Sequence, residues 1–212
     1  MDKDNYISYL NNDGVDNKIK ELESYALKNQ VPIIQKPSLD FITQIIRISG
    51  YKKILEIGSA IGYSAINFAL VCDDIYVTTI EKDKVMYQEA LKNIRDFNLD
   101  NRVKIICQDA LDINLTELDK DYDLLFIDAA KSKYRAFFEK FTMCLQKNGI
   151  VITDNVLFHD LLFTEEIKNR HTRQLVNKIK SYNDWLKNNK AYFTKFYAIG
   201  DGIAVSIKID NK

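Results

Sequence analysis

Four polar side chains follow two apolar runs in the second half of the chain. Asp128 and Lys131 come after the run 122–127, and Asp154 and Asn155 come directly after the run 149–153. If both runs are strands of an open α/β sheet, these residues lie at the carboxyl ends, where such sheets bind ligands. Two carboxylates and an amide are oxygen donors that suit Mg²⁺, Mn²⁺ or Ca²⁺. The pattern therefore predicts a hard-cation site at Asp128, Asp154 and Asn155.

The amine of Lys131 can belong to the same site. It lies three residues after Asp128, about one helical turn away, and can reach the same pocket. A nearby dication would favour the neutral amine, so Lys131 is a candidate base at neutral pH. The structural alternative is that Asp128 caps the next helix, Asp154 and Asn155 form a turn, and Lys131 is solvated.

A glycine turn in the first half of the chain predicts a cofactor loop. It lies within Ile54-Leu-Glu-Ile-Gly-Ser-Ala-Ile-Gly-Tyr-Ser64 and departs from the dinucleotide pattern, because Ala60 stands in place of the second glycine. Glu81, after the next strand, could hold ribose hydroxyls, and Asp109-Ala110, after the third, could face an adenine-type base. Ordinary turns with solvated acids are the alternative. The presence of Glu56 before the turn, with these acids after it, favours the cofactor site.

Composition limits the class of protein. Lys and Arg number 30, as do Asp and Glu, so total charge gives no indication of nucleic-acid binding. Cys72, Cys107 and Cys144 are widely spaced among apolar residues and predict reduced core thiols. The polar N-terminus has no apolar signal core, and no apolar run reaches membrane-spanning length. These features predict a soluble cytoplasmic domain without a membrane partner.

The order of apolar runs predicts a doubly wound α/β fold. Short strands rich in Ile, Val and Leu alternate with helical stretches, which is typical of a parallel sheet covered on both faces. The predicted strands are 53–57, 75–80, 103–107, 122–127, 149–153, 192–199 and 203–207. The predicted helices between them are 63–71, 83–97, 133–145 and 169–188.

Both ends of the chain modify this core. Gly200-Asp-Gly202 predicts a tight turn, so we expect a C-terminal antiparallel hairpin. Two helical stripes, at 16–29 and 39–48, predict an N-terminal helical cap over residues 1–50. We expect one domain, with the cap joined to a core of residues 51–212.

These motifs together resemble the metal-dependent class I O-methyltransferases, a family that includes catechol and caffeoyl-CoA methyltransferases. The resemblance covers nearly the whole chain and is carried by residues 55–64, Glu81, Asp109-Ala110, Asp128-Ala-Ala-Lys131 and Asp154-Asn155-Val156. It implies a Rossmann-like methyltransferase sheet, S-adenosylmethionine as methyl donor and Mg²⁺ or Mn²⁺ as the metal. Asp128, Asp154 and Asn155 would be the metal ligands and Lys131 the catalytic base.

The resemblance also implies a cofactor site and an assembly. The implied cofactor-binding residues, with Ile33 at the methionine end, are Ile33, Glu56, Gly58, Ser59, Gly62, Tyr63, Ser64, Glu81, Asp109, Ala110 and Asp128. Members are commonly dimeric, so a homodimer is expected. After the metal motif, His159-Asp160 lacks the glycine expected there, which predicts a differently shaped loop on the acceptor side.

Within the family, the chain resembles in particular the bacterial tRNA 5-hydroxyuridine methyltransferases. The shared features are Val31-Pro-Ile-Ile34, Ala60-Ile-Gly-Tyr-Ser-Ala65, Asp154-Asn-Val-Leu-Phe158, Tyr182-Asn-Asp-Trp185 and Asp201-Gly-Ile-Ala204. This similarity implies methylation of 5-hydroxyuridine to 5-methoxyuridine at the wobble position of the tRNA anticodon. A small catechol-like or caffeoyl-CoA-like acceptor is the alternative substrate.

A basic segment at 168–195 bears on this choice. Its cations, which could bind tRNA phosphates, are Lys168, Arg170, Arg173, Lys178, Lys180, Lys187, Lys190 and Lys195. Tyr182, Trp185 and Tyr192 are interleaved with them and could stack on unpaired bases. The alternative is a solvated helix face with its aromatic residues in the core. Outside the enzymes, a nucleotide-binding module could share the fold, but it would have no need of Lys131 beside the predicted metal ligands.

Overall fold

The computed structural model describes residues 3–11, 16–164 and 166–209 of the chain. Its central sheet has seven strands in the order β3-β2-β1-β4-β5-β7-β6. The strands are β1 (Lys53–Ile57), β2 (Tyr76–Glu81), β3 (Val103–Cys107), β4 (Tyr122–Ile127), β5 (Leu145–Thr153), β6 (Tyr192–Tyr197) and β7 (Ile203–Lys208). Strands β1 to β5 run parallel, and β7 pairs antiparallel with β5 and β6. The predicted α/β fold with a C-terminal hairpin is confirmed.

Helices cover both faces of this sheet. They are α1 (Lys3–Leu10), α2 (Asn17–Lys28), α3 (Lys36–Ser49), α4 (Tyr63–Ala69), α5 (Lys84–Asp96), α6 (Tyr134–Phe141) and α7 (Arg170–Asn188). Helices α2 to α5 contribute to one buried apolar cluster, and α6 and α7 to a second. Ile54 of β1 lies in the first cluster and Leu55 in the second, because side chains alternate along a strand. None of the described helices is both long and apolar enough to cross a membrane.

Helices α2 and α3 pack on the core, and each has a clear start. Asp16 caps α2 by accepting a hydrogen bond from the Lys18 N–H, at 2.9 Å. Helix α3 begins three residues before the predicted position 39, because Pro37 is favourable in the first helical turn. The Tyr63 hydroxyl donates to Glu23 Oε1 at 2.6 Å, which joins α2 to the first helix of the parallel core.

The predicted helix over 133–145 is confirmed in its first part, but its predicted C-terminal end is wrong. Helix α6 ends at Phe141, a short 3₁₀ turn follows, and β5 begins at Leu145. Leu145 pairs with Tyr122 of β4 before a shift in register near Leu124, so β5 is longer than the predicted 149–153. Pairing with a neighbouring strand therefore overrides the local helical pattern at the end of α6.

The prediction of three core thiols holds for one cysteine. Cys144 is buried, whereas Cys72 and Cys107 are exposed, and all three are free. Cys72 lies in the loop after α4, and Cys107 ends β3 at the edge of the sheet. Cys72 and Cys107 are exposed despite their apolar neighbours in sequence, because each lies at or beyond the end of a secondary-structure element.

A fully buried acid lies within the sheet itself. Glu56 of β1 is fully buried and accepts hydrogen bonds from Ser64 Oγ and from Thr79 Oγ1. Burial raises the pKa of Glu56 to about 7, and the two hydroxyl hydrogen bonds only partly oppose that rise. Glu56 thus links the start of α4 to β2 beneath the carboxyl edge of the sheet.

The carboxyl ends of β1 and β4 approach each other closely at Gly58. Gly58 has a φ of 95°, and a Cβ atom there would lie 2.2 Å from the carbonyl oxygen of Asp128. The Asp128 N–H donates to the carbonyl of Ile57 at 3.0 Å, which holds the two strand ends together. Only glycine combines this backbone conformation with this approach.

We expect Gly58→Ala to lower the free energy of unfolding by about 3 kcal/mol or more, since left-handed strain and a backbone clash add together. Gly50→Ala is the matched control: Gly50 has a φ of 66°, but a Cβ atom there would meet nothing within 4 Å. The control should lose only about 1–2 kcal/mol, from strain alone. Urea unfolding of both variants tests this, and equal losses would contradict the proposed clash.

Glu56→Gln should remove a pH dependence of stability. Because the folded-state pKa lies above that of the unfolded chain, the unfolded state releases the proton first as pH rises. The wild type should therefore lose about 3 kcal/mol between pH 4.5 and pH 7 that the variant retains. Urea unfolding at several pH values measures the difference, with exposed Glu117→Gln as the control. A constant difference between wild type and Glu56→Gln across this range would refute the buried titration.

Candidate active site

A cavity of about 420 Å³ opens at the carboxyl edge of the parallel strands. Each of the five parallel strands places an acid or glycine in its lining, either as its last residue or within two residues of its end: Gly58, Glu81, Asp109, Asp128 and Asp154. The convergence follows from topology, because parallel strands end at the same edge. The cavity is of the size at which proteins bind small molecules and cofactors.

Most of the predicted site residues line this cavity. The lining includes Ile33, Gly58, Ser59, Tyr63, Ser64, Glu81, Asp109, Ala110, Asp128, Lys131, Asp154 and Asn155. Glu56 and Gly62 do not line it. Glu56 lies beneath it and holds the Ser64 hydroxyl, while Gly62, with a φ of 82°, precedes α4 and forms the turn. Both act on the cavity through neighbouring residues.

One end of the cavity is formed by the glycine turn and two acids. Glu81 accepts the backbone N–H of Ala60 at 2.9 Å and that of Asp83 at 2.8 Å, so its carboxylate ties the turn to β2. Asp109 accepts the N–H of Leu111, which holds the pKa of Asp109 below its usual value, with help from Lys133 3.4 Å away. Both acids are partly exposed to the cavity and can accept hydrogen bonds from a ligand.

The other end holds the predicted metal ligands. Asp154 is fully buried, and its Oδ1 receives a 3.4 Å hydrogen bond from Ser38 Oγ. Its Oδ2 is buried with no hydrogen-bond partner among the described residues. The Lys131 amine donates to Asn155 Oδ1 at 2.7 Å. An unpartnered carboxylate oxygen beside a second acid is the arrangement that a bound cation satisfies.

Electrostatics at this end favour a positive ligand. Burial raises the pKa of Asp154, and the nearby charge of Asp128 raises it further. Burial likewise raises the pKa of Asp128, which Lys131 opposes. The donor set rests on the amide of Asn155 as well as these acids, because no three His, Cys, Asp or Glu side chains form a metal-binding group in the described ranges. Carboxylate and amide oxygens fit Mg²⁺ or Mn²⁺ better than zinc.

Several contacts of the site were not predicted from the sequence. His159 and Lys133 line the cavity, Ser38 reaches Asp154 from α3, and the Tyr134 hydroxyl donates to the Asp154 carbonyl at 2.9 Å. Asp201 lies behind Asn155, although its Gly-Asp-Gly setting predicted only a turn. These contacts join residues far apart in sequence, so no local pattern pointed to them.

The loop after Asn155 has an unusual backbone. Phe158, His159 and Asp160 all have positive φ values, of 50°, 52° and 57°. This is the region that glycine favours, and His159-Asp160 is where a glycine was expected and is absent. His159 from this loop forms part of the cavity wall.

Three aromatic residues of the basic segment, Tyr182, Trp185 and Tyr192, pack against α6. Tyr182 is buried, and its hydroxyl lies 2.8 Å from Thr153 Oγ1. Trp185 and Tyr192 pack edge-on against Phe138, with ring centroids 5.2 and 4.8 Å apart. This packing favours the alternative interpretation of the three rings as core residues, because α7 and β6 place them against α6. The cations of α7 form an exposed face.

Comparison with known proteins gives one family. The profile of the O-methyltransferase family matches residues 8–209. A caffeoyl-CoA O-methyltransferase of Populus kitakamiensis is 29% identical over 174 residues, which cover 78% of this chain and 73% of that protein. A tapetum-specific methyltransferase of Arabidopsis thaliana is also 29% identical, over 170 residues and with the same coverage.

Solved structures agree. A Staphylococcus aureus protein provisionally named as a caffeoyl-CoA O-methyltransferase has a TM-score of 0.91 and 43% identity, covering 97% of this chain and 98% of its own. The SAH-bound Podospora anserina methyltransferase PaMTH1 has a TM-score of 0.85 at 22% identity, covering 98% and 95%. The first similarity extends to sequence, and the second shows the fold. With its profile matched over nearly its whole length, the chain belongs to the O-methyltransferase family, a family of enzymes.

Proposed function

We propose that the protein transfers a methyl group from S-adenosylmethionine to a hydroxyl of a small acceptor carrying two adjacent oxygens, such as a catechol or a caffeoyl-CoA-like ester. The observation that carries this proposal is the buried, unpartnered Oδ2 of Asp154 beside Asp128, at the end of a cavity whose other end is a glycine turn with two acids. The first end suits a divalent cation and the second a nucleoside.

The glycine-turn end supports the methyl donor. Glu81 and Asp109 offer carboxylate oxygens that can accept the hydroxyl and amino hydrogens of a nucleoside. Gly58 leaves the backbone open where β1 ends, and Ile33 adds an apolar wall. Proteins of the same fold are known with SAH bound, in Podospora anserina, and with SAM bound, in Streptomyces achromogenes.

The other end supports the transfer step. Asp128, Asp154 and Asn155 would hold Mg²⁺ or Mn²⁺, which when bound supplies charge stabilisation to an acceptor oxygen and orients it. Lys131, 2.7 Å from Asn155 Oδ1, is placed to receive the acceptor's hydroxyl proton. Asp154 itself is buried from solvent. Proximity of donor and acceptor in one cavity supplies the remaining orientation.

The small-molecule acceptor is favoured by the relatives. Proteins named as caffeoyl-CoA O-methyltransferases occur among both the sequence and the structure matches. A tRNA 5-hydroxyuridine is the second candidate, since its hydroxyl also adjoins a carbonyl. The observation in its favour is the exposed basic face of α7, which could bind phosphates. Tyr182 and Trp185 pack inward, so stacking of these two rings on bases does not support the tRNA candidate.

Asp154→Asn tests the metal-binding end. We expect turnover to fall by about two orders of magnitude or more, because a ligand oxygen is lost. Thermal stability should stay level or rise, since a buried carboxylate with an unpartnered oxygen is removed. Methyl transfer and thermal melting, each with and without a chelator, measure the two effects. Full activity in the variant, or activity of the wild type in excess chelator, would remove the metal from the mechanism.

The acceptor is tested with methyl-labelled S-adenosylmethionine and three acceptors: a catechol, caffeoyl-CoA and total tRNA from cells lacking the enzyme. We expect chelator-sensitive label in one or both small molecules. Label confined to tRNA, at a hydroxylated anticodon uridine, would replace the small-molecule proposal by the tRNA one. Binding of S-adenosylmethionine without transfer to any of the three would count against both.

A further inference from the structure

We propose that Asp201 is a positioning residue of the active site: it fixes the orientation of the Asn155 amide for metal binding and holds the His159 wall of the cavity. This inference rests on the proposed metal site. Asp201 lies in the β6–β7 turn, 46 residues after Asn155, and lines no part of the cavity itself. It would therefore act through its neighbours and not on the acceptor.

The β6–β7 turn is bonded to the segment after β5. The Leu157 N–H donates to the Asp201 carbonyl at 2.9 Å, and the Val156 N–H donates to that of Gly202 at 3.0 Å. A Cβ atom at Gly202 would lie 2.4 Å from Leu157 Cγ, so the backbone of the turn packs directly against the Leu157 side chain. The carboxylate of Asp201 is 5% exposed and is directed into this junction.

Donors and acceptors on the two sides of Asn155 define its orientation. On one side, Asn155 Nδ2 donates to Asp201 Oδ2 at 3.3 Å. On the other, Asn155 Oδ1 accepts from the Lys131 amine at 2.7 Å. In the reversed amide the oxygen would face a carboxylate, which can only accept, and the NH₂ would face the Lys131 amine, which donates in this structure, so both hydrogen bonds would be lost. Asp201 thus directs the oxygen of Asn155, the atom suited to a metal, toward Lys131 and the cavity.

The second oxygen of Asp201 holds the loop that follows. The backbone N–H of His159 donates to Asp201 Oδ1, and His159 Nδ1 lies 3.5 Å from Asp201 Oδ2. This bond sits in the middle of the run of positive φ values from Phe158 to Asp160. Non-glycine residues hold that conformation only where their surroundings enforce it. One buried carboxylate therefore supports both a metal ligand and a wall on the acceptor side.

Partners behind a metal ligand set its geometry, and losing one weakens metal affinity by about ten- to a hundredfold. Asp201→Asn keeps the shape of the side chain but offers one acceptor in place of two. If the new amide oxygen accepts from His159 N–H, its NH₂ faces the NH₂ of Asn155, donor against donor. The Asn155 amide should then lose its preferred orientation.

The experiment measures Mn²⁺ affinity, by electron paramagnetic resonance of the free ion, and SAH affinity, by calorimetry, on the full chain. For Asp201→Asn we expect Mn²⁺ to bind about ten- to a hundredfold more weakly and SAH to bind as in the wild type. Asp123→Asn is the control: Asp123 accepts the N–H groups of Lys52 and Lys53 at the opposite edge of the sheet. It should lose stability without a change in Mn²⁺ affinity.

The outcomes separate this inference from the proposed function. Wild-type Mn²⁺ affinity in a folded Asp201→Asn would overturn the positioning role, as would a parallel loss of SAH affinity, which would indicate general distortion. If the wild type itself binds no Mn²⁺, the metal in the proposed function fails, and the role of Asp201 fails with it. A loss of Mn²⁺ affinity in Asp201→Asn alone supports both.

Discussion

Asp128 and Asp154 repel each other across the ends of two adjacent parallel strands, and the site is organised around that repulsion. The Asp154 N–H is bonded to the carbonyl of Ile127 at 3.1 Å, so the two acids cannot separate without breaking the sheet. Burial makes ionisation of each unfavourable. Lys131 supplies a single positive charge against two carboxylates. The charge of a divalent cation would match that of the two carboxylates, so the arrangement favours a ligand of that kind at this end.

The same type of side chain behaves differently at the two ends of the cavity. Asp109 accepts a backbone N–H and lies beside Lys133, so its pKa is lowered and it remains ionised as a hydrogen-bond acceptor. Asp154 is buried with one oxygen unpartnered, which suits a metal ligand. Glu56, deeper still, is held between two hydroxyls and serves the scaffold. Environment, and not residue type, distinguishes these acids: Asp109 is a partly exposed acceptor, Asp154 a buried carboxylate with an unpartnered oxygen, and Glu56 a hydrogen-bonded part of the scaffold.

Support for the metal end comes from distant parts of the chain. Ser38 approaches Asp154 from α3, and Asp201 approaches Asn155 from the β6–β7 turn. Gly200 brings these two supports together, since a Cβ atom there would lie 2.3 Å from Ser38 Oγ. The N-terminal helices and the C-terminal hairpin therefore meet behind the site. Segments from early and late in the sequence, α3 and the β6–β7 turn, therefore both support the candidate site.

The sequence by itself determined the parts of this protein that depend on short range. Strand positions such as 53–57 and 122–127, and the polar residues at the ends of the parallel strands, follow from apolar runs and from the rule that parallel strands end at one edge. Those rules were enough to place Asp128 and Asp154 in one cavity.

Only the tertiary structure decided what lies between elements. Burial of Glu56 beneath the cavity, the bond from Asn155 to Asp201 and the inward packing of Trp185 each join residues on different elements. Exposure of Cys107 depends on β3 lying at the sheet edge, and the end of α6 depends on Leu145 pairing with β4. Periodicity reports which side of an element is apolar, but the partner that meets that side is set by long-range packing.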